Sequence, residues 1–287
     1  MTKKLLIFYA ISPIYAGSGT SLGAVDLPIQ RERHTNWPHI QASAVKGALR
    51  SHFRTFSENK DLINLIFGLD EQNDGELKGK DGEKIKQKAG VVAFSDAKLF
   101  AFPVRSNVAP FVWVTCPSVI KRFNTDLEFY GKKQEELLKE KIVSGDNAFS
   151  LLGEVGQNQK IILEDAVINV LDKFTMPNLS NYFPSISKLL LVSDEMFDYL
   201  VSTATEVQTQ IKIKAETGTA EDGALRYQEL LPADSVLYSV VYFKNNALKT
   251  DAQEYTVSKV LEDAIKDFVQ VGGDETLGRG ICKVEWK

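Results

Sequence analysis

The apolar residues of this chain come in short runs, and that limits the folds open to it. Runs of strand length occur at 4–11, 91–102, 111–116, 161–170, 188–192, 236–243 and 281–286. None is long enough to span a bilayer as a helix. Helical spacing of apolar residues recurs at 43–57, 61–68, 117–130, 194–202 and 255–269. The chain thus begins as strand–helix–strands and ends as helix–glycine-rich loop–strand. That order predicts an α+β domain with a mainly antiparallel sheet and helices on one face. The 287 residues, 44% of them hydrophobic and 25% charged, suit one globular domain over 1–287 with large insertions. Residues 131–160 are polar and give no clear element.

Two stretches read as excursions from that core. Residues 70–88 hold six acids and five lysines, cannot bury a core, and are expected to form a flexible surface insertion. Residues 215–234, TAEDGALRYQELLPAD with flanks, read as a hairpin tip or protruding arm. The N-terminal MTKKLLIFYAISP has a basic start and an apolar run. A signal peptide and a first strand both fit this pattern; Ser12-Pro13 breaks the run early and favours the strand, and with it a cytoplasmic location. Cys116 and Cys282 stand alone in apolar runs, so small core residues are expected, not a zinc site or disulfide framework.

The net charge of −4 argues against a free-standing, non-specific nucleic-acid binder. Charge is distributed unevenly, however. Between Asp26 and Arg54, five cations (Arg31, Arg33, Lys46, Arg50, Arg54) face two acids (Asp26, Glu32), and all three histidines (His34, His39, His52) fall between 34 and 52. Such a concentration of phosphate-binding and proton-transfer groups points to a polyanion, foremost RNA. Lys46, Arg50 and Arg54 recur every fourth residue and form one stripe of the helix that opens at Ser43, its expected N-cap. The stripe fits either a solvated helix face or a phosphate track; the basic run at 31–34 favours the track. His34, beside Arg33, has the chemistry of an acid, a base or a phosphate ligand. His39 and His52 lack metal-ligand companions.

The loop Gly272–Gly280 carries four glycines in nine residues (Gly272, Gly273, Gly278, Gly280) and Arg279. It is neither a Walker A nor a Rossmann turn, because Arg279 stands in place of Lys, and a helix precedes it and a strand follows. It reads either as a connector or as a backbone that comes close to RNA, with the guanidinium adding charge. Asp26, in the long loop 12–42, can hold Mg²⁺, accept a proton from a 2′-hydroxyl, or simply form a turn. Arg226, Tyr227 and Glu229 lie in the arm, which is either a plain hairpin or a device that inserts between bases.

Five segments in this order (SPIYAGSGT, VDLPIQRERHTNWPHIQASAVKGALR, VAFSDAKLFAFPVRSNVAPFVWVTCPSVIKRF, GALRYQELLPADS and GGDETLGRGICKVEW) make the chain similar to the RAMP superfamily. More narrowly, it resembles the repeated backbone subunits of type III-B (Cmr) CRISPR complexes. The resemblance covers almost the whole chain. It implies a ferredoxin-like (RRM-like) core with an antiparallel sheet, large insertions and a protruding thumb hairpin. It implies binding of crRNA and of single-stranded target RNA, partnership with other Cmr subunits, and stacking of copies in a helical filament, with no membrane. It also implies cleavage of target RNA at regular intervals with a divalent metal, Mg²⁺ or Mn²⁺. Asp26 matches the family's essential aspartate, Lys46 the lysine of its crRNA-binding helix, 272–280 its glycine-rich loop, and 215–234 its thumb. Tyr15 stands where the family commonly has histidine.

Three readings follow: a metal-dependent endoribonuclease subunit with Asp26 at its centre, a non-catalytic crRNA-binding scaffold, or a lone nuclease that processes precursor crRNA.

Overall fold

The computed structural model describes residues 2–69, 89–221, 223–244, 247–249 and 254–287. The insertion expected at 70–88 lies outside them. In chain order the first half runs β1 (Thr2–Ala10), β2 (His39–Ile40), α1 (Ala42–Phe56), α2 (Lys60–Phe67), β3 (Val92–Phe94), β4 (Ala97–Arg105), β5 (Phe111–Thr115) and α3 (Pro117–Tyr130). An added region follows, with β6 (Asn147–Leu152), β7 (Gln159–Leu163), β8 (Ala166–Lys173), α4 (Leu179–Tyr182), β9 (Leu189–Val192) and α5 (Asp194–Thr203). The last part is β10 (Glu206–Gln210), β11 (Arg226–Leu230), β12 (Val236–Phe243), β13 (Ala247–Lys249), β14 (Glu254–Thr256), α6 (Val257–Ala264), β15 (Asp267–Gln270) and β16 (Ile281–Trp286).

The strand neighbours β16-β1-β12-β4 are all antiparallel. With α1 between β1 and β4, and α6 before β16, this is the βαββαβ arrangement of a ferredoxin-like core. Strand β4 serves two sheets of partners. Its first half pairs with β12, and Phe102–Arg105 pair with β5, from which β9, β6, β8 and β7 continue outward. Two pairs in this extension, β5 with β9 and β6 with β8, are parallel.

Helices cover both faces of the core sheet, not one. On one side Phe123 of α3 meets Tyr238 of β12 edge to face at 4.8 Å. On the other, Phe53 of α1 meets Phe67 of α2 at 5.7 Å, and Phe67 stacks on Phe94 of β3 at 6.0 Å. The sequence basis is that β1 and β12 are apolar at consecutive positions: Leu5, Leu6, Ile7 and Phe8 are all buried, as are Val236, Leu237, Tyr238, Val240 and Val241. A strand without polar alternation must be covered twice.

Three boundaries differ from the sequence reading. The run 91–102 is two strands, interrupted where Ser95 bonds the Val240 amide through its hydroxyl (2.9 Å). The run 161–170 is a hairpin, β7–β8, turned at Glu164, which adopts φ +54°. The helix expected over 255–269 ends at Ala264; the chain then turns, with Asp267 at φ +63°, and Asp267–Gln270 join β16 as an edge strand. The glycine-rich loop therefore joins two antiparallel strands. A Rossmann turn is still excluded, since a strand follows it. Both cysteines are buried, and burial pushes the Cys282 thiol up to about 12, which leaves it unreactive. Among the described residues no helix is long and apolar enough to cross a membrane.

Candidate nucleic-acid interface

Helix α1 opens at Gln41, not Ser43. Gln41 makes no side-chain cap, and the free Ala42 amide donates to Asp96 Oδ1 at 2.7 Å. Ser43 sits in the first turn and is exposed. Val45, Leu49 and Phe53 bury one face of α1. A second face carries small residues, Ala44, Gly47, Ala48 and Ser51, at the i, i+3, i+4, i+7 spacing of one helix surface. With Tyr15, Gly17, Gln30 and the Gly272–Gly273 backbone they form an open groove of about 380 Å³. Small side chains keep its floor flat enough for a sugar–phosphate backbone. Two glycines are needed to build it. At Gly272 (φ +95°) a Cβ would lie 2.5 Å from the Tyr15 carbonyl oxygen, and at Gly280 (φ +71°) one would lie 1.9 Å from that of Val271.

The basic stripe does not act as one unit. It flanks the buried face, on the side where α2 packs. Arg50 donates to the Gly68 carbonyl (2.9 Å) and to Asn64 Oδ1 (3.0 Å), so it ties α1 to α2 instead of lining a phosphate track. Arg54 is also engaged within the protein. Lys46 has no side-chain partner among the described residues and is the stripe's cation left for a ligand. Partial burial, and then the charge of Arg50, hold its ammonium below the usual lysine range. Arg31 also leaves the set: it is turned inward, 2.6 Å from Glu229, and donates to the carbonyls of Asn36 and Val201. Arg33 and His34 are exposed, His34 lying 4.0 Å from Glu32.

The arm is a hairpin of β10 and β11 that begins at Glu206, earlier than the expected 215, because Val207 and Thr209 already alternate with glutamines. Its two faces differ. Gln208, Gln210, Arg226 and Gln228 share one face, since Gln208 pairs with Gln228 and Gln210 with Arg226. Gln228 Nε2 donates to Asp274 Oδ2 at 2.7 Å, and Arg279 donates to Gln208. Arg279 therefore binds the thumb to the glycine-rich loop instead of standing free over it. The other face presents Val207 and Tyr227, both exposed. Glu229 does not protrude as a thumb-tip residue would. It is 7% exposed at the root, where it takes the Ile29 amide (3.1 Å), the Thr205 hydroxyl (2.9 Å) and Arg31.

The long first loop runs beside this hairpin and makes one parallel bridge to it at Leu27. Leu27 donates to the Tyr227 carbonyl (3.0 Å), and the Glu229 amide donates to Leu27 (3.0 Å). Asp26 lies at its outer end, half-buried, with Oδ2 accepting the Tyr227 amide at 2.8 Å. Among the described residues no donor meets the second carboxylate oxygen. Among the described residues no three His, Cys, Asp or Glu side chains converge on a metal site. The donor set therefore fits a divalent ion only as one held by a single carboxylate, with RNA phosphate oxygens and water completing the shell, a mode magnesium accepts.

The fold, the glycine-rich loop and the thumb recur in known proteins. Residues 7–283 match the profile of the RAMP superfamily. The chain is 34% identical to the CRISPR system Cmr endoribonuclease Cmr4 of Pyrococcus furiosus, over 100% of this chain and 96% of that one. An oligomeric crystal form of Pyrococcus furiosus Cmr4 superposes with a TM-score of 0.69 at 25% identity, covering 100% and 98% of the two chains. A subunit of a type III-B Cmr-beta complex bound to cognate target RNA superposes with a TM-score of 0.73 at 22% identity, covering 100% and 97%. This chain belongs to the RAMP superfamily and, within it, to the Cmr4 family of CRISPR Cmr subunits.

Proposed function

We propose that this chain is the backbone subunit of a cytoplasmic type III-B Cmr complex, which holds crRNA in the α1 groove and cuts the paired target RNA beside Asp26. The observation that carries this reading is the shared frame of groove and carboxylate. The glycine-rich loop lines the groove and is bonded to the thumb through Gln228 and Arg279, and Asp26 is bonded to the same thumb strand. The relative in Pyrococcus furiosus is named an endoribonuclease, and its oligomeric form supports stacking of copies along the guide.

The reaction that suits these groups is attack of a target 2′-hydroxyl on its own phosphate. The 2′-O–P bond forms as the P–O5′ bond breaks, the 2′ proton passes to the Asp26 carboxylate, and water protonates the leaving 5′ oxygen. The products are a 2′,3′-cyclic phosphate and a 5′-hydroxyl. Arg226, exposed and without a partner among the described residues, offsets charge on the phosphorane. A divalent ion such as Mg²⁺ or Mn²⁺, with Asp26 as its protein ligand, would supply further charge neutralisation there. The cap that Asp26 places on the Tyr227 amide favours a second reading, in which the carboxylate only shapes the loop and the chain is a scaffold.

Asp26→Asn separates the two, because an asparagine oxygen still accepts the Tyr227 amide while the charge is lost. In complexes assembled with guide RNA and given end-labelled complementary RNA, regularly spaced cuts are expected from wild type. The variant should bind target equally and leave it uncut, whatever divalent ion is present. Equal cutting by both would leave this chain as scaffold.

A further inference from the structure

A nucleic-acid backbone offers many acceptors and one donor. Its phosphate, bridging and ring oxygens only accept; the ribose 2′-hydroxyl alone can donate, and DNA lacks it. An uncommitted acceptor in a groove that holds such a backbone therefore has one possible partner there.

Two glutamines line the α1 groove. Gln30 is used at both ends: Nε2 donates to the Gly17 carbonyl (3.1 Å), and Oε1 accepts the Gln41 amide (2.8 Å). Gln270, the last residue of β15, is used at one. Its Nε2 donates to the carbonyls of Gly272 (3.0 Å) and Arg279 (3.3 Å). Both partners only accept, so the nitrogen must face them, and Oε1 is fixed on the other side of the amide. No donor meets that oxygen among the described residues. The wall's backbone oxygens are already taken. The Tyr15 carbonyl accepts the Gly273 amide, that of Gly17 accepts Gln30, and that of Gly272 accepts Gln270.

We infer that Gln270 reads the ribose 2′-hydroxyl of the guide and so makes the groove select an RNA strand over DNA. The glycine-rich loop holds the side-chain amide in one orientation, so little freedom is lost when the hydroxyl arrives. A deoxyribose leaves Oε1 covered and without a donor, which costs more than the hydrogen bond is worth in water. Ser51, also on the groove floor, does not discriminate in this way. A hydroxyl can donate to a phosphate as readily as it accepts, whereas a carbonyl oxygen cannot.

This inference rests on the reading that the α1 groove holds the guide, and the test keeps the two apart. The chain, assembled with its partner Cmr subunits, would be titrated with labelled guide RNAs. In each guide a 2′-fluorine replaces the hydroxyl at one position of the repeating interval. Fluorine keeps the sugar shape of RNA and has no proton to give. Wild type is expected to bind one of these guides more weakly than the natural guide, by about fivefold per contact, as for one neutral hydrogen bond. Gln270→Met keeps the length of the side chain and loses its oxygen. It should not distinguish that guide from the natural one, whatever its absolute affinity. Indifference of wild type to every position overturns the inference. So does a wild-type ratio in Gln270→Met, which would mean that the glutamine only braces the loop. Gly47→Trp fills the groove from a helical position where an added Cβ meets nothing within 4 Å. It should weaken every guide, and either contrary result would then strike Gln270 alone. Unchanged binding by Gly47→Trp would remove the guide from the groove, and the inference with it.

Discussion

At the residue scale, the groups that looked alike in the sequence separate by what they touch. Lys46, Arg50 and Arg54 are evenly spaced, yet Arg50 is spent on α2 and Lys46 stays open to a ligand. Spacing reveals which helix face a residue shares, but not which neighbouring element will cover that face. Lys46→Ala is expected to weaken crRNA binding and to reduce the salt slope of affinity by about one counterion. The pH dependence has a definite sign. Phosphate prefers the ammonium, so affinity falls as pH rises through the Lys46 pKa. Because burial lowers that pKa, the fall begins at a lower pH than an ordinary lysine would give. Lys46→Arg should flatten the curve; an unchanged curve would mean that Lys46 does not meet the guide. Asp26 was singled out only through the family resemblance, since its residue chemistry favours a turn, and in the structure its carboxylate ties the first loop to the Tyr227 amide of the thumb instead.

Among elements, the thumb root is where loop, hairpin and glycine-rich loop are joined. Glu229 has a donor from each side: the Ile29 amide and Arg31 from the first loop, and Thr205 from the start of the hairpin. The sequence placed Arg31 and Glu229 at two separate RNA-contacting sites. They are one largely buried pair, because the chain returns to the first loop 198 residues on. Breaking it by Glu229→Ala leaves an unpaired guanidinium and should cost about 3 kcal/mol, read as a lowered unfolding midpoint in urea. Faster amide exchange is expected at Leu27, Ile29 and 206–230, with β1 and β12 unaffected. Gly280→Ala is expected to disturb the β15–β16 loop, since both its φ and the Val271 carbonyl refuse a methyl group. Loss of crRNA affinity with a small change in overall stability would mark that loop as the wall of the groove. The small-residue face of α1 was readable from the sequence by the same periodicity that gave the buried face. Small residues at regular spacing carry no charge signal, so the basic stripe drew the reading instead.

For the whole molecule, the core order β16-β1-β12-β4 follows from the strand–helix–strand pattern at both ends of the chain. The far extension, β5-β9-β6-β8-β7, was not legible, because its pairings join segments that share no local pattern and two of them are parallel. The helices on both faces could have been read from β1 and β12, whose unbroken apolar runs leave no face for solvent. The cationic window between residues 26 and 54 is smaller in the folded molecule than in the sequence, because Arg31, Arg50 and Arg54 are engaged within the protein. If every copy in the filament cuts through its own Asp26, the most direct test is a mixing experiment. Complexes would be assembled from wild-type and Asp26→Asn chains at increasing variant fractions, with guide RNA and labelled target held constant. Cutting at every interval should fall in proportion to the variant fraction, with spacing and target binding unchanged. Cutting that stays constant up to pure Asp26→Asn would contradict the account and place the nuclease in another subunit.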